Sequence, residues 1–475
     1  MGHRVEEDFL GEMKVPGEAY YGIHTMRAAV NFPVSGIGMH PALIRALARV
    51  KQAAALANTG AGLLERSTGE AIARAAAEVA EGGLAGQFIV DALQGGAGTS
   101  ANMNMNEVLA NRAIEILGGE RGSYHRVHPL KHVNLSQSTN DVYPTALRVA
   151  AIGMVLDLSQ ALAGLQSALQ DREADFAGVL KLGRTEMQDA VPITLGQEFS
   201  AYAEAVARDR WRLYKVEERL RQVNLGGTAV GTGLNAEPRY IFMVIEELRT
   251  LTGYGLARAE NTVDLTQNAD VFVEVSGLLK AAAVNLAKIS GDLRLLSSGP
   301  LGGLGEIKLP RLQPGSSIMP GKVNPVIPEM VTQAAFQVMG NDQVIALAAA
   351  SGQLELNAFL PLIAHNLLQS LDILTKAARL FEEKCVRGIR ADRARCSRWL
   401  EESHSFITAL TPHLGYDRAA ELVSRASREE IPLRRLVVEA GFMSEEDLEA
   451  VFAPGQLTSP GVAGAAIAKK AGDCR

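Results

Sequence analysis

Four polar segments interrupt the helical patterning of the chain, and they hold the side chains best suited to chemistry. They are GGAGTSANMN at 95–104, SQSTNDVYP at 136–144, GRTEMQDAVP at 183–192 and GPLGGLGEIKLPRLQPGSSIMPGKVNP at 299–325. Their hydroxyls, amides and backbone N–H groups donate to carboxylate oxygens, and Lys322 adds a positive charge. The four segments therefore predict a binding site for a dicarboxylate.

A structural interpretation of each segment alone is a helix cap or a turn, because Ser, Thr, Asn and Gly favour both. Four such segments in one helical chain make that interpretation weaker. The segment 299–325 is also unusually long for a connection inside a compact helical domain. Connections of that length are commonly functional, which favours the binding interpretation.

Metal and cofactor sites are not predicted. His125, His128 and His132 fall close together, but Pro129 interrupts any common helical face and no Cys or carboxylate completes the set. GGAGTS lacks the Gly-Lys-Ser/Thr ending of a phosphate-binding loop, and no dinucleotide fingerprint occurs. We therefore expect ordinary loop histidines, no bound metal and no organic cofactor.

Composition restricts the partners and the location. The 475 residues have a formal net charge of -6, so no basic surplus attracts nucleic acid or an anionic membrane. The start MGHRVEEDF is no secretory signal, and no stretch long enough to span a membrane is free of charge. Three cysteines, Cys385, Cys396 and Cys474, are too few for a disulfide framework. These features predict a cytoplasmic protein with a small-molecule or protein partner.

The elements that must position the polar segments are helices. Aromatic residues make up only 5% of the chain, while Ala and Leu are abundant. One stripe alternates steps of three and four residues: Leu279, Ala282, Leu286, Ile289, Leu293 and Leu296. Such a stripe must pack along another helix, so we predict an all-α fold with an extended bundle. The expected divisions are 1–137, with mixed loops and helices, 138–395, with long helices, and a small helical segment at 396–475.

The loop GSSIMPGKVNP at 315–325 resembles the signature loop of the fumarase/aspartase superfamily essentially residue for residue. Further segments resemble that family in the family's order: YYGIHTMRAAVNF, GGAGTSANMNMNEVLAN, SQSTNDVYPTA, GRTEMQDAVPITLGQEF, VNLGGTAVGTGLN and GNDQVIALAAASGQLELN. The resemblance covers most of the chain up to about residue 360, and the remainder more weakly. It implies a three-domain helical subunit with a long central bundle, assembled as a homotetramer whose active sites each take loops from three subunits.

The resemblance also implies site residues. The catalytic set is Ser316, Lys322, Glu186 and Glu329. The substrate-binding set is Thr99, Ser138, Thr139, Asn140, Thr185, Ser317 and Asn324. Ser316 corresponds to the family's base, and a serine alkoxide needs stabilisation by the N–H groups that follow it and by the charge of Lys322. The Gly and Pro content of this loop predicts a lid that closes over substrate.

Within the family, GGAGTS, YYGIHT and GQLELN are typical of the aspartase branch, and Gln353 stands where fumarases carry His. We therefore predict an ammonia-lyase that converts L-aspartate to fumarate. Glu186 departs from the family, which usually has His or Gln there. An ionised Glu186 would pair with a substrate ammonium, and Glu329, its usual neighbour in the family, would raise one pKa of the two carboxyls.

Several alternatives stay open. The same Glu186 would suit a bulkier or permanently cationic amine, as in ergothionase-like relatives, or simply hydrogen-bond a neighbouring loop. A class II fumarate hydratase is a further alternative, as is a helical scaffold without activity, although the complete polar set argues against a scaffold. A peripheral activating divalent ion, known for some aspartases, is also compatible with the sequence.

Overall fold

The computed structural model describes residues 2–465, and 62% of the protein is helical, which confirms the all-α prediction. The helices of the described part are α1 Ile23–Asn31, α2 Pro41–Gly60, α3 Arg66–Ala80, α4 Thr99–Ile116, α5 Thr139–Phe176, α6 Leu195–Leu220, α7 Pro238–Thr252, α8 Thr262–Gln267, α9 Asp270–Leu296, α10 Val326–Ala350, α11 Leu360–Lys384, α12 Arg393–Glu402, α13 Ile407–Leu414, α14 Tyr416–Glu429, α15 Leu433–Glu439, α16 Glu445–Val451 and α17 Pro454–Leu457. Two short 3-10 turns and one π-helical turn, Pro129–Val133, complete the helical segments.

The strands are short and occur as four separate pairs within the described residues. They are β1 His3–Asp8, β2 Gly11–Pro16, β3 Leu180–Thr185, β4 Gln188–Thr194, β5 Gln222–Val223, β6 Ala257–Arg258, β7 Ile307–Lys308 and β8 Arg390–Ala391. The pairs β1–β2, β3–β4 and β7–β8 are antiparallel, and β5–β6 is parallel. None of these pairs was predicted from the sequence.

The predicted apolar stripe is present on α9. All six of its residues are buried, and the most exposed of them, Leu296, retains 6% of its surface. A helix with one such stripe is stabilised mainly by packing, at roughly 25 cal/mol for each Å² of apolar surface removed from water. The burial expected of this stripe is confirmed.

The chain divides into two compact units. The first comprises residues up to Gln160, Asp209–Val284 and Ala334–Lys376. The second comprises Ala161–Arg208, Asn285–Gln333 and the described chain from Ala377 onward. The boundaries predicted at 137/138 and 395/396 remain predictions, and Cys474 lies outside the described residues.

Helix α5 is long and apolar enough, by length and composition alone, to cross a membrane. Its best 18-residue window has a mean hydropathy of 1.5, but 61% of that window is buried inside the protein. A helix whose apolar side chains are already covered by the rest of the chain has the character of a core helix.

In the first unit, α2 packs against α3 and α7, and α4 packs against α1 and α3. Helix α4 is buried on nearly every side, so its polar side chains must find partners inside the protein. Glu107 does so by accepting hydrogen bonds from the backbone N–H groups of Gly22, His24 and Thr25, at 2.8 to 3.1 Å. It thereby satisfies the N–H groups of the second and third residues of α1, while the N–H of Ile23 donates to Glu6.

The C-terminal part of the second unit has an apolar core of its own. Leu410, Leu436, Val437, Leu448 and Val451 are completely buried there. The helices α13 to α16 each contribute to this core, directly or through partly buried neighbours. Short amphipathic helices of this kind depend on mutual packing, because isolated helices of such length are marginal in water.

Candidate active site

The SQSTN segment forms the start of α5. Ser138 precedes the helix, and its Oγ accepts a hydrogen bond from the backbone N–H of Asn140 at 3.2 Å. In return, Asp141 Oδ1 accepts from the backbone N–H of Ser138 at 3.0 Å. This reciprocal pair is a variant of the capping box, in which the N–H of the second helical residue donates to Ser138, and it fixes the segment on the helix end. The Ser138 hydroxyl proton stays available to a ligand.

Asp141 also ties a second segment to this helix end. It is fully buried, and its Oδ2 accepts from the backbone N–H groups of Gly226 at 3.1 Å and Thr228 at 3.0 Å. Burial raises the pKa of Asp141 to about 6, although the hydrogen bonds from the backbone oppose the shift. Nearby, the Asn140 amide donates to the carbonyl of Ala229 at 2.7 Å.

The GGAGTS segment forms the start of α4. Gly98 has a φ of 94°, in the left-handed region, and a Cβ at this position would lie 2.4 Å from the Tyr143 ring. Only glycine satisfies both conditions. Thr99 follows as the first residue of α4, with an exposed side chain.

These two helix starts line one cleft of about 450 Å³ in the first unit. Its lining residues are Thr99, Asn102, Met103, Leu130, Asn134, Ser136, Gln137, Ser138, Thr139, Thr228, Ala229, Leu234 and Asn235. Thr99, Ser138 and Thr139 were predicted from the sequence, and we call these three residues the cradle. The predicted Asn140 lies beside the cleft through its contact with Ala229.

A layer of polar side chains behind the cradle was not predicted. Asn102 donates to Thr139 Oγ1 and to Asn134 Oδ1, both at 3.1 Å. Lys51 Nζ donates to Asn134 Oδ1 and to Gln137 Oε1, both at 2.9 Å. The available signal was helical spacing, since Lys51 continues a buried apolar stripe on α2.

The GRTE segment is the tip of the hairpin formed by β3 and β4. Thr185 pairs with Gln188, and the two residues between them, Glu186 and Met187, have φ values of 52° and 65°. Two left-handed residues make the tight turn that suits the twist of antiparallel strands. Glu186 is exposed and makes no hydrogen bond or ion pair with the described residues, so its carboxylate is free to meet a ligand.

The base of this hairpin is held by buried charges. Lys181 is 1% exposed and its Nζ lies 2.8 Å from Glu198 Oε1 and 3.0 Å from Glu306 Oε2. Arg184 Nη1 lies 2.8 Å from Glu306 Oε1. Burial raises the pKa of Glu198, against the attraction of Lys181. Since Arg184 immediately precedes Thr185, this network fixes where the hairpin tip begins.

The loop with Ser316 is closed by its own hydrogen bonds. Ser316 Oγ accepts from the backbone N–H groups of Ile318 at 3.2 Å and Met319 at 2.9 Å. The N–H of Gly315 donates to the carbonyl of Lys322 at 2.7 Å, and the Asn324 amide donates to the carbonyl of Gly315 at 2.9 Å. The ends of the loop are thus joined beside Ser316.

The remaining predicted residues of the second unit occupy the same loop or its continuation. Ser317 and Lys322 are exposed, and Lys322 forms no ion pair within the described part of the chain. Glu329 lies in the first turn of α10, partly buried. The structure thus groups Thr99, Ser138, Thr139 and Asn140 in the first unit. It groups Ser316, Ser317, Lys322 and Asn324 on one loop of the second unit. The hairpin with Thr185 and Glu186 belongs to the same unit.

Two of the three closely spaced histidines, His128 and His132, have local structural contacts. His128 Nδ1 accepts from the backbone N–H of Leu130 at 3.0 Å, and His132 Nδ1 accepts from the N–H of His128 at 3.0 Å. Burial lowers the pKa of both rings. Among residues 2–465, no group of three or more His, Cys, Asp or Glu side chains is arranged to hold a metal ion.

The sequence is similar to known lyases. Residues 11–340 match the family model described as Lyase, and residues 406–459 match the one described as Fumarase C C-terminus. An aspartate ammonia-lyase from a Bacillus species is 50% identical, over 97% of this chain and 98% of that protein. A cobalt-bound crystal structure of fumarate lyase:delta crystallin from Brucella melitensis is 49% identical, with a TM-score of 0.94 over 97% of this chain and 100% of that one.

A class II fumarase from Schistosoma mansoni has the same fold at lower identity. It is 38% identical, with a TM-score of 0.92 over 97% of this chain and 100% of that chain. The lyase match alone extends over well more than half of the sequence. The chain therefore belongs to the fumarase/aspartase superfamily of lyases, in its aspartate ammonia-lyase branch.

Proposed function

We propose that the protein catalyses the reversible removal of ammonia from L-aspartate to give fumarate, with Ser316 as the base. The observation that carries this proposal is the pair of backbone N–H groups, from Ile318 and Met319, that already donate to Ser316 Oγ. Such donors stabilise an alkoxide more than a neutral hydroxyl, so they favour the ionised base. The charge of Lys322, which lies on the same loop, is proposed to act in the same direction.

In the proposed reaction, the Ser316 alkoxide removes a proton from Cβ of aspartate, on the face opposite the amine. The electron pair of the C–H bond moves into the adjacent carboxylate and gives a dianionic enediolate. The electrons then return to form the double bond while the C–N bond breaks and the amine leaves. Because charge develops on one carboxylate, hydrogen-bond donors aimed at that carboxylate lower the barrier most.

The polar residues then have distinct roles. The carboxylate that becomes the enediolate is bound by Thr99, Ser138, Thr139 and Ser317. The other carboxylate is bound by Thr185, Lys322 and Asn324. In the first unit, Ser138 and Thr139 already accept hydrogen bonds from Asn140 and Asn102, which leaves their own O–H protons for the ligand. That donor arrangement supports the carboxylate role.

Glu186 is assigned to the substrate ammonium, with Thr99 and Asn140 beside the amine. The Glu186 carboxylate is exposed and unpaired among the described residues, so a cationic ligand group would gain an attraction without breaking an existing contact. Glu329 serves as the second carboxyl beside Glu186 and is the proposed carrier of a proton. Glu186→Gln should raise KM for aspartate by a larger factor than it lowers kcat. A fall in kcat as large as the rise in KM would argue against ammonium binding.

The assembly is proposed to be a homotetramer in which each active site combines loops from three subunits. Large apolar side chains on the long helices support association: Phe242 is 73% exposed and Phe336 is 61% exposed. Mixing two inactive variants, Ser316→Ala and Ser138→Ala, tests this. Subunit exchange should restore part of the activity, because some hybrid sites contain neither substitution. Mixed tetramers that remain inactive would contradict shared sites.

The activity itself is tested by following ultraviolet absorbance with L-aspartate, L-malate and ergothioneine in parallel. We expect absorbance from fumarate with aspartate alone, and none with Ser316→Ala. A signal only with ergothioneine would favour the second candidate function, an amine-lyase for a bulkier cationic amine, which the exposed Glu186 also suits. A signal only with malate would move the assignment to fumarate hydration.

The proposed location is the cytoplasm. Cys385 and Cys396 are buried and unpaired in the described structure, and burial raises the pKa of each thiol to about 12. Buried thiols of this kind behave as small apolar side chains and persist most readily in a reducing compartment.

A further inference from the structure

A fully buried lysine lies behind the cradle. Lys51 has no exposed surface, and it extends the apolar stripe of α2 that contains Leu43 and Leu47. Lysine is almost never fully buried unless it is paired, because removing an ammonium from water costs several kcal/mol. A lysine at this position needs a physical reason.

The contacts of Lys51 are with neutral groups. Its Nζ donates to Asn134 Oδ1 and Gln137 Oε1, and no described carboxylate lies within ion-pair distance. Asn134 Oδ1 also accepts from the amides of Asn102 and Asn106, both at 3.1 Å. Three donors therefore converge on one carbonyl oxygen, so Lys51 shares this acceptor with two amides and has no ionised partner of its own.

The charged and titratable groups around this cluster are few. On α5, Asp141 acts on Lys51 through its charge, and Tyr240 of α7 in turn is affected by Asp141. Asp141 is committed to the backbone N–H groups of Ser138, Gly226 and Thr228. From α4 and from the segment 134–137, the contacting groups are neutral amides. Burial lowers the pKa of Lys51 to about 7, and the charge of Asp141 raises it only partly.

Two short paths connect Lys51 to the hydroxyls of the cradle. Gln137, which accepts from Lys51, immediately precedes Ser138. Asn134, the other acceptor, is joined through Asn102 to Thr139 Oγ1. The cradle residues are themselves uncharged, and these hydrogen bonds connect them to the buried amine of Lys51.

We propose that Lys51 is a positioning residue whose protonation is coupled to occupation of the cradle. A bound dicarboxylate holds the proton on Lys51, and protonated Lys51 holds the segment 134–139 in the arrangement that presents Ser138 and Thr139. The proposal rests on the proposed function only in taking the ligand to be a dicarboxylate. Lys51 does not touch the substrate, so it acts through Asn134 and Gln137.

Linkage fixes the sign of the effect. A bound anion favours the ammonium over the amine, so ligand binding raises the pKa of Lys51. Between the pKa values of the free and the bound protein, binding must therefore take up protons. Affinity for a dicarboxylate should fall as pH rises through this range, whereas a purely structural lysine would produce no proton uptake.

The test is calorimetric titration with succinate, whose two carboxylates stay ionised above about pH 7. Titrations in two buffers of different ionisation enthalpy give the number of protons taken up. We expect fractional uptake by the wild-type protein at about pH 8, and none by Lys51→Met, with affinity weaker by about ten-fold. Lys376→Met is the matched control, because this lysine is exposed and pairs with Asp372 on the protein surface. It should behave as wild type.

A further variant keeps the test decisive if Lys51→Met does not fold. Glu186→Gln removes a carboxyl that is assigned to the substrate and could itself take up a proton near a dianion, and uptake should persist in this variant. Uptake that disappears in Glu186→Gln, or that survives in Lys51→Met, would overturn the inference. So would succinate binding without uptake by a protein that turns over aspartate. Absence of both succinate binding and aspartate turnover would instead overturn the proposed function, and the inference with it.

Discussion

The cradle of the first unit and the Ser316 loop of the second are built in opposite ways. Behind the cradle lie fully buried polar groups, Lys51 and Asp141, which draw on segments far away in sequence. The loop at 315–325 is mostly exposed and is closed by hydrogen bonds among its own residues. In the proposed mechanism, carboxylate binding therefore depends on the core, while the proposed base depends on local loop geometry.

This contrast has a chemical basis. Binding a dicarboxylate in one orientation requires donors that are held in place before the substrate arrives. Positioning lowers the barrier only if these donors are already ordered in the free protein. A base must instead reach the substrate after it binds, which suits a loop that can close. Substitutions behind the cradle should therefore reduce stability and affinity, and substitutions in the loop should reduce turnover.

The largest expected effect is on turnover. Ser316→Ala should lower kcat by about 10³-fold or more, because it removes the proposed general base and the acceptor of two N–H groups. Thermal unfolding should change little, since the residue lies in a mostly exposed loop. Fumarate absorbance and circular dichroism measure the two quantities. Activity within ten-fold of wild type would place the base elsewhere.

Asp141→Asn should have the largest effect on stability. The substitution removes a buried carboxylate that accepts from three backbone N–H groups, and an amide nitrogen would face some of those donors. We expect a loss of about 2–4 kcal/mol in the free energy of unfolding, measured by denaturant titration. Asp171→Asn, at a position where the side chain is 62% exposed, is the control and should be neutral. Equal stability of the two variants would contradict the conclusion that buried polar groups support the cradle.

Gly315→Ala should lower turnover by about 10- to 100-fold with little change in stability. A Cβ on Gly315 would lie 2.8 Å from the backbone N of Asn324, so the closed end of the loop must shift. Gly302→Ala is the matched control, because a Cβ there meets nothing within 4 Å. Turnover unchanged in Gly315→Ala would show that the closure of the loop does not position the base.

The smallest expected effect is a pH dependence of stability. The pKa of Lys51 is about 7 in the folded protein against an ordinary value of 10.5. Between these values the unfolded chain binds more protons, so the contribution of Lys51 to stability rises with pH, by about 1 kcal/mol for each pH unit. From about pH 7 to pH 9 the wild-type protein should gain stability relative to Lys51→Met. A constant difference would mean that Lys51 stays charged in the folded protein.

The helical class and the stripe on α9 could be predicted because they depend on local spacing. The polar segments could be located because Gly, Pro, Ser and Asn interrupt that spacing, and the resemblance to a family gave them an order and roles. The hairpin turn at Glu186 and Met187 was not predicted, since neither residue is the Gly or Asn that usually marks left-handed turns.

The layer behind the cradle was missed for a different reason. Lys51 and Asn134 are 83 residues apart, and Asp141 and Gly226 are 85 residues apart. Side-chain contacts between such distant positions produce no periodic pattern in the sequence. A lysine on an apolar helical stripe, such as Lys51 after Leu43 and Leu47, was the one local sign of this layer.

The most direct test of the division between binding and chemistry compares succinate affinity with aspartate turnover in two variants. Ser316→Ala should bind succinate within about two-fold of wild type while producing no measurable fumarate. Thr139→Val, which removes a cradle hydroxyl, should lose affinity for succinate by about ten-fold. If Ser316→Ala instead lost succinate affinity as severely as turnover, Ser316 would be a binding residue, and its assignment as the base would be contradicted.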